Sequence, residues 1–308
     1  MSDPTIAPSL DGAAPVDRQA MRLAVVMTTY NRPDALGAVL RALAVQTDVD
    51  FEVVVADDGS GPATAAAIRD AARTPRAPGY RRLLHAWHPD DGFRAAAVRN
   101  LAVAASQGAY LVFLDGDCLP RPDFLARHRL LAEPGYMVTG SRVLLSQALS
   151  LDALQQPGSA DPIERRPLHW WLRRRLAGDA NKAVPLLRVG DSPLRHYRKV
   201  AWRRIKSCNL AVWRRDFAAV DGFDEVFVGW GHEDADLALR LARAGVRRKG
   251  GAFSTEVFHL WHPDNPRGQE GENRRRVEAR MIEGRVVSER GVSSQPTAES
   301  RIELVAGA

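Results

Sequence analysis

The chain has 308 residues, 45% of them hydrophobic, and a mean hydropathy of -0.26. These values indicate a globular protein with a substantial core, and no apolar run approaches the ~20 residues that a membrane span requires. Cys118 and Cys208 are the only cysteines, which is too few for a disulfide framework or a zinc site. No basic stretch followed by an apolar one opens the sequence, so no secretory signal is expected and the chain is predicted to be cytoplasmic.

The net charge of +6 is unevenly distributed. From Arg165 to Lys206 there are 13 lysines and arginines against two acids, a charge of +11, which leaves about -5 for the rest of the chain. The same segment contains the aromatic residues Trp170, Trp171, Tyr197 and Trp202. This composition fits either a solvated basic face or a surface for an anionic membrane, a phosphorylated acceptor or nucleic acid.

The first ordered part of the sequence alternates strands with helices. Residues 1 to about 20 lack periodicity and are expected to be disordered. Residues 23–27 and 51–56 are short apolar runs typical of strands buried on both faces, and residues 35–45 and 63–72 have helical patterns. Strand, helix, strand and helix at this spacing predict right-handed crossovers and a parallel sheet.

Polar residues follow both of these strands. Thr28, Tyr30 and Asn31 come after the first, and Asp57 and Asp58 end the second. Ligands of such sheets bind beyond the carboxyl ends of the strands, so these side chains are expected at a binding site. Neither a G-x-G-x-x-G turn nor a G-x-x-x-x-G-K-[ST] loop is present, which disfavours a dinucleotide or P-loop site.

A third buried strand, residues 109–114, leads directly into Asp115-Gly116-Asp117. Two acids separated by one glycine can both reach a divalent cation and the diphosphate that it neutralises. An isolated D-x-D is a weak signal because turns produce many of them. Its position at the end of a buried strand, beside two other polar strand ends, makes it much stronger.

The C-terminal half contains a second acidic motif, residues 229–236, with the sequence Gly-Trp-Gly-His-Glu-Asp-Ala-Asp. A predicted strand at 206–213 and a short helix at 214–220 precede it, and an amphipathic helix ending before Gly245 follows it. Glu233 and Asp234 therefore lie at a helix N-terminus, where both are expected to be ionised. The motif fits a general base beside an indole that faces a sugar, or an acidic helix cap beside a core tryptophan.

Two histidines follow the short strand predicted at residues 252–258. His259 is a candidate third metal ligand together with Asp117, because imidazole and carboxylate suit Mn²⁺-type sites, and His262 comes three residues later. Beyond residue 265 the chain is polar, with one helical stretch at 274–283 and a tail that is expected to be flexible.

Taken together, these motifs resemble the GT-A-fold family 2 glycosyltransferases. The similarity covers roughly residues 22–142 and 206–263, in five motifs that occur in the same order. The segment 229–234 is similar to the acceptor-side motif of β-1,4-galactosyltransferases and bacterial chondroitin-type polymerases. The resemblance implies an α/β GT-A (Rossmann-like) fold with a mostly parallel central sheet flanked by helices, in a single catalytic domain with a basic insertion.

The resemblance also implies a role for each matching residue. Asp234 would be the catalytic base, assisted by Glu233, and Asp117 and His259 would hold Mn²⁺ or Mg²⁺ together with Asp115. Donor contacts are expected from Thr28, Tyr30, Asn31, Asp57, Asp58, Arg94, Asn100 and Asp115. Acceptor contacts are expected from Trp230, Gly231, His232, Glu233 and His262. Ala235 stands where the galactosyltransferases carry a third acid, so acceptor contacts there should differ.

The implied organisation is a disordered segment at 1–20, a nucleotide-sugar-binding half at 21–143, a basic insertion at 144–205, an acceptor half at 206–265, and a C-terminal helix with a flexible tail at 266–308. The implied activity is metal-dependent inverting transfer from UDP-galactose, UDP-GalNAc or a similar donor. The acceptor is expected to be a glycan or lipid-linked hydroxyl in bacterial polysaccharide or lipopolysaccharide synthesis, with peripheral contact to an anionic membrane.

Three other functions were weighed against this one. A nucleotidyltransferase would carry a glycine-rich basic signature after its first strand, and this sequence lacks it. A sugar-nucleotide-binding or carbohydrate-binding protein without transferase activity is the main alternative, but a carbohydrate-binding protein would not need Asp115, Asp117 and His259. A nucleic-acid-binding module would explain only residues 165–206, so no nucleic acid partner is expected.

Overall fold

The computed structural model describes residues 17–18, 20–73, 80–155, 163–183, 187–199, 201–264 and 267–307. Most of the segment 1–20 that was expected to be disordered lies outside these residues. Within them, no helix is both long enough and apolar enough to cross a membrane.

Strands and helices alternate along most of the described chain. The strands are β1 (Leu23–Thr29), β2 (Phe51–Asp57), β3 (Tyr80–Trp87), β4 (Tyr110–Asp115), β5 (Cys118–Pro120), β6 (Tyr136–Thr139), β7 (Arg142–Leu144), β8 (His196–Tyr197), β9 (Asn209–Trp213), β10 (Arg247–Gly250), β11 (Val257–His259) and β12 (Arg301–Gly307). The α-helices are α1 (Pro33–Ala44), α2 (Pro62–Arg73), α3 (Ala95–Ala105), α4 (Phe124–Leu131), α5 (Gln147–Gln155), α6 (Leu168–Leu176), α7 (Arg214–Ala219), α8 (Glu233–Arg243) and α9 (Glu270–Glu283).

The central sheet has nine strands in the order β12-β3-β2-β1-β4-β9-β6-β10-β8, and β5, β11 and β7 form a small second sheet. Strands β3, β2, β1 and β4 are parallel, as their continuous apolar runs predict. Strand β9 lies antiparallel between β4 and β6, and β10 pairs in parallel with β6, so the whole sheet is mixed. In the register, Thr28 lies opposite Asp115 and Thr29 lies opposite Asp57, which brings three polar strand ends to one edge.

Both faces of the sheet are covered. Val25 and Val53 face one hydrophobic core, to which α1, α4 and α6 contribute, and Val26 and Val54 face a second core that includes α3, α8 and α9. Successive strand residues thus enter opposite cores, because side chains alternate across a strand. The central strands are buried on both sides, and functional side chains lie beyond their ends.

The basic segment between residues 165 and 206 is partly structural. Trp171 is fully buried and stacks on Phe258 of β11, with ring centroids 4.4 Å apart. Arg195 is also buried and donates to the backbone carbonyl oxygens of Gly250 and Ala252 at 2.8 and 2.7 Å. Several of these cations therefore hold the insertion against the sheet, and only the exposed ones are available to a partner.

The end of the chain differs from the expectation of a flexible tail. Residues 301–307 form β12, which pairs antiparallel with β3 at the edge of the central sheet. The alternation of Ile302 and Leu304 with charged residues is a strand pattern, although both apolar side chains are about half exposed. Backbone pairing with β3 holds this strand in place with little side-chain burial, so the prediction of a flexible tail was wrong for these residues.

Candidate active site

A cleft of about 770 Å³ opens beyond the carboxyl ends of β1 and β4. Its floor comes from the strand ends, and its walls come from the loop before α8 and the segment after β11. Among its lining residues are Thr28, Tyr30, Asn31, Asp58, Arg99, Asp115, Asp117, Arg142, Lys206, Cys208, Trp230, Gly231, Glu233, Asp234, His259, Trp261, His262 and Arg267. The cleft thus contains both acidic motifs of the sequence.

One side of the cleft brings a carboxylate together with two imidazoles. His259 ends β11, which pairs with β5 so that His259 lies opposite Cys118, one residue after Asp117. The Nε2 atom of His259 is 3.7 Å from Oδ1 of Asp117, and that of His262 is 3.3 Å from Oδ2. Burial lowers the pKa of His259, which favours the neutral imidazole that metals bind. These residues form a suitable ligand set for Mn²⁺ or Mg²⁺, with His262 on the metal side of the cleft.

The glycine between the two aspartates is required by close packing. The Gly116 amide donates to the carbonyl oxygen of Thr28 at 2.7 Å. A Cβ atom at this position would lie 3.0 Å from that oxygen and 3.2 Å from Cβ of Thr29. The chain therefore turns tightly against β1, and this turn brings Asp117 into the cleft.

Arg99 links the two acidic motifs, and the sequence did not identify it as a site residue. It projects from α3, is only 4% exposed, and donates to Oγ1 of Thr28 at 2.8 Å. Its guanidinium also pairs with Asp115 at 3.3 Å and with Glu233 at 3.0 Å. Burial raises the pKa of Asp115, and the charge of Arg99 opposes that rise. Arg99 therefore supplies the countercharge for acids at both ends of the cleft.

Glu233 and Asp234 begin α8, as the sequence predicts, but burial changes their electrostatics. Burial and the charge of Glu233 raise the pKa of Asp234 to about 6, although Lys206, Arg99 and a hydrogen bond from the Ser207 amide oppose this rise. The helix N-terminus alone led us to expect full ionisation. The helix N-terminus stabilises the charged carboxylate, but this effect is outweighed by desolvation of the Asp234 carboxyl, which is 6% exposed. Asp234 therefore titrates near neutral pH.

The loop before α8 shapes the wall beside these acids. Gly229 and Gly231 have φ angles of +78° and +98°, in the left-handed region that favours glycine. Trp230 between them lines the cleft, and the guanidinium of Arg267 lies 4.8 Å from its ring centroid. Trp230 is thus a cleft residue and is absent from both hydrophobic cores.

The donor-side residues divide into two groups. Thr28, Tyr30, Asn31 and Asp58 line the cleft as expected. Tyr30 is 48% exposed, and its hydroxyl donates to Asp90 at 2.9 Å. Asp58 accepts hydrogen bonds from Nε2 of His88 at 2.6 Å and from the Arg94 amide at 2.9 Å. These contacts orient the Asp58 carboxylate at the rim of the sheet.

Four of the expected residues do not line the cleft. Asp57 accepts from the Ser60 amide and lies 2.8 Å from Nε2 of His85, so it braces the loop after β2. Asn100 is buried and exchanges hydrogen bonds with the backbone of Phe223, which ties α3 to the 221–225 turn. The Arg94 side chain pairs with Asp91. His232, with a φ of 75°, forms the turn into α8. These four residues therefore have structural contacts in the folded chain, and their donor or acceptor contacts stay predictions.

Comparison with protein families gives two adjacent matches. Residues 24–192 match the model of glycosyl transferase family 2, and residues 194–263 match the model described as the N-terminal domain of galactosyltransferase. The first match covers more than half of the chain and includes the D-x-D turn. The second includes the whole loop and helix start around Trp230, together with both histidines.

Individual relatives agree with this assignment. The chain is 33% identical over 234 residues to validoxylamine A glucosyltransferase of Streptomyces hygroscopicus subsp. jinggangensis, covering 73% of this chain and 52% of that protein. It is 28% identical over 271 residues to chondroitin synthase of Escherichia coli, covering 82% and 36%. The chain thus spans about half or less of the length of these curated relatives.

A solved structure supports the fold. The mannosyltransferase PcManGT from Pyrobaculum calidifontis, in complex with GDP-Man and Mn²⁺, superposes with a TM-score of 0.54 at 19% identity, covering 90% of this chain and 67% of that one. The nine-stranded sheet, the cleft at its strand ends and the family match lead to one conclusion. The chain has a GT-A fold and belongs to glycosyl transferase family 2.

Proposed function

We propose that the protein is a metal-dependent, inverting hexosyltransferase that moves a sugar from a UDP-sugar to a glycan or lipid-linked hydroxyl, with Asp234 as the general base. The observation that carries the proposal is the position of Asp234. It lines the same cleft as Asp115 and Asp117, lies next to Trp230 and Glu233, and has a pKa raised to about 6. A carboxyl that titrates near the working pH is suited to accept a proton from a sugar hydroxyl.

The leaving-group side is assigned to Asp117 and His259, with Asp115 and His262 beside them. Their carboxylate and imidazole groups fit a divalent cation, which Mn²⁺ in the PcManGT complex also supports. When bound, such a cation stabilises the negative charge of a departing diphosphate. Arg142 lines the same part of the cleft and adds a positive charge there. With the diphosphate neutralised in this way, no protein acid is needed on this side.

The attacking side is assigned to residues of the loop before α8 and its first turn. The indole of Trp230 offers a flat apolar face to a sugar ring. Oε2 of Glu233 is buried and has no hydrogen-bond partner among the described residues, so a sugar hydroxyl would satisfy it. Glu233 therefore holds the acceptor, and Asp234 takes the proton from the hydroxyl as it attacks the anomeric carbon from the face opposite the diphosphate.

The donor is assigned as UDP-galactose, UDP-GalNAc or a close relative. Residues 194–263 match the galactosyltransferase model, and this region includes Trp230, Glu233 and Asp234. Tyr30, Asn31 and Asp58 line the other end of the cleft, where a base and ribose would lie. Because the PcManGT complex contains GDP-Man, a guanine nucleotide sugar is the most informative competitor.

The acceptor side includes a membrane partner. Helix α6 exposes Leu168, Leu172 and Leu176 at a four-residue spacing, with exposed fractions of 38%, 45% and 88%. Arg173 and Arg175 on the same helix are also exposed. An apolar stripe flanked by arginines is typical of helices that lie on anionic bilayers. We assign α6 as a peripheral contact that brings the cleft to a lipid-linked acceptor.

A donor panel tests the assignment. Turnover of UDP-galactose, UDP-GalNAc, UDP-glucose and GDP-mannose should be compared in the presence of Mn²⁺, with the product anomer determined by NMR. We expect a UDP-hexose to be used and its anomeric configuration to be inverted. Preference for GDP-mannose would contradict the donor assignment, and retention would remove Asp234 from its role as base.

A further inference from the structure

A thiol pair that the proposed mechanism does not use lies at the cleft, where Cys208 is a lining residue and Cys118 is buried behind the lining. Cys118 begins β5 and Cys208 precedes β9, and these are the only cysteines of the chain. Both are free and buried. Their Sγ atoms and a carboxylate oxygen of Asp115 all lie within 4.8 Å of one another. The fold thus brings together two sulfur ligands and one oxygen ligand that are distant in sequence.

We propose that Cys118, Cys208 and Asp115 form a second metal site, selective for a thiophilic divalent cation such as Zn²⁺ or Cd²⁺. Two thiolates and a carboxylate provide three protein ligands for a tetrahedral ion, a common arrangement for zinc. Thiolates favour such ions over Mg²⁺ and Mn²⁺, which prefer oxygen and imidazole ligands. This site therefore differs in ligand chemistry from the one at Asp117 and His259, although Cys118 also lies within 4.8 Å of those two ligand groups.

The binding step is an exchange of protons for metal. Each thiol releases one proton to solvent, two metal–sulfur bonds form, and Asp115 supplies an oxygen ligand without any oxidant or reductant. A bound metal drives the release of these protons because a coordinating thiol is deprotonated. The guanidinium of Arg142 lies 3.8 Å from Sγ of Cys208 and offsets part of the thiolate charge. Two cysteines alone were too few for a zinc site in the sequence, and Asp115 completes the set.

Occupation of this site has a consequence for the cleft. Asp115 pairs with Arg99, and Sγ of Cys118 lies 3.5 Å from Oδ1 of Asp117. A thiophilic ion at this site therefore removes Asp115 from the donor side and places a positive charge beside Asp117. We infer that Zn²⁺ inhibits sugar transfer. The inference that Zn²⁺ inhibits transfer rests on the proposed function, whereas the inference that the site binds a metal does not.

The site is tested by titrating the reduced protein with Cd²⁺ and following the ultraviolet charge-transfer band of cadmium thiolates. Because the chain has only two cysteines, a two-thiolate complex within one chain can arise only from this pair. We expect saturation at one Cd²⁺ per chain with Mn²⁺ present in excess. Cys118→Ser and Cys208→Ser should each weaken Cd²⁺ binding by at least about 100-fold. Circular dichroism checks their folding, and Cys208→Ala replaces any serine variant that fails to fold.

Asp117→Asn is the matched control, since it should lose Mn²⁺ binding and keep the cadmium band. Absence of the band, its persistence in either serine variant, or two thiols already oxidised in the isolated protein would overturn the site. Inhibition by Zn²⁺ is then measured relative to the uninhibited rate of each variant. The Zn²⁺ concentration that gives half inhibition should rise about 100-fold in Cys208→Ser. If Cd²⁺ binds while transfer continues, the inhibition clause is wrong and the metal site stands. If no donor is turned over, the proposed function fails and the cadmium titration still decides the site.

Discussion

The two motifs of the cleft both carry closely spaced acids, in very different surroundings. Asp117 lies between the imidazoles of His259 and His262, and its side chain is 18% exposed. Asp234 is 6% exposed and forms no ion pair among the described residues. These surroundings support the two proposed roles, a cation ligand for the carboxylate among imidazoles and a proton acceptor for the buried carboxyl without an ion pair. Arg99 pairs with an acid of each motif and joins the two sides.

Removing the metal side should have the largest effect. Asp117→Ala takes away the carboxylate that His259 and His262 face, so transfer should fall by about 10³-fold or more, and chelation of the wild-type protein should do the same. Mn²⁺ binding, measured by calorimetry, should weaken in parallel. Asp70→Ala, which changes an acid on α2 whose side chain is 73% exposed, is the control. Undiminished transfer in metal-free buffer would contradict the assignment.

Removing the base should have the next largest effect. Asp234→Asn keeps the shape of the side chain and abolishes its ability to accept a proton, so kcat should fall by about 10²–10⁴-fold while UDP binding is spared. Steady-state kinetics measure the fall in kcat, and a UDP binding assay tests whether the affinity for UDP is unchanged. Glu272→Gln changes an acid in the first turn of α9 and should be neutral. An Asn variant with near-normal kcat would show that another group takes the proton.

The pH dependence tests the proposed base, because Asp234 must be ionised to accept a proton. The pKa of Asp234 is raised to about 6, so kcat should fall about tenfold per pH unit below 6 and level off above 7. Lys206 lowers that pKa by its charge. Lys206→Met should therefore move the midpoint upward by about half a unit. Lys199→Met, an exposed lysine outside the lining set, should leave the midpoint unchanged, and a flat profile from pH 5 to 8 would exclude Asp234.

Membrane contact is the smallest expected effect and concerns neither acid directly. Binding to anionic vesicles, measured by sedimentation, should decrease as salt rises. Arg173→Ala and Arg175→Ala should each weaken it about fivefold, since a basic residue near such a surface contributes about 1 kcal/mol. Arg274→Ala and Arg275→Ala, exposed on α9, provide a charge-matched control. If the substitutions on α9 weaken vesicle binding as much as those on α6, the binding reflects general charge attraction and α6 has no specific role.

The sequence predicted the parts of the fold that are determined locally. Strands β1, β2 and β4 are continuous apolar runs, and their ends carry the polar residues of the cleft. Strand β3 was not predicted because Arg82 and His85 interrupt its apolar pattern. Those two residues pair with Glu52 and Asp57 of the neighbouring strand, a contact between residues 28 to 30 positions apart.

Contacts between residues that are distant in sequence also limit what can be predicted about the site. Arg99 in an alanine-rich helix carries no local signal, because Glu233, its partner, is 134 residues away. Asp234 was correctly expected at a helix N-terminus, but its proton affinity depends on burial that only the folded chain produces. Residue types and spacing therefore indicated which side chains to consider. The packing of distant segments determined their contacts and charges.

Strand β12 has a practical consequence for handling the protein. It covers the outer side of β3, so a deletion of residues 301–307 would leave the backbone groups of β3 open to pairing with another chain. The alternating charges of Arg301 and Glu303 make β12 itself a poor template for such pairing. A shortened variant would therefore be prone to intermolecular aggregation through the exposed edge of β3.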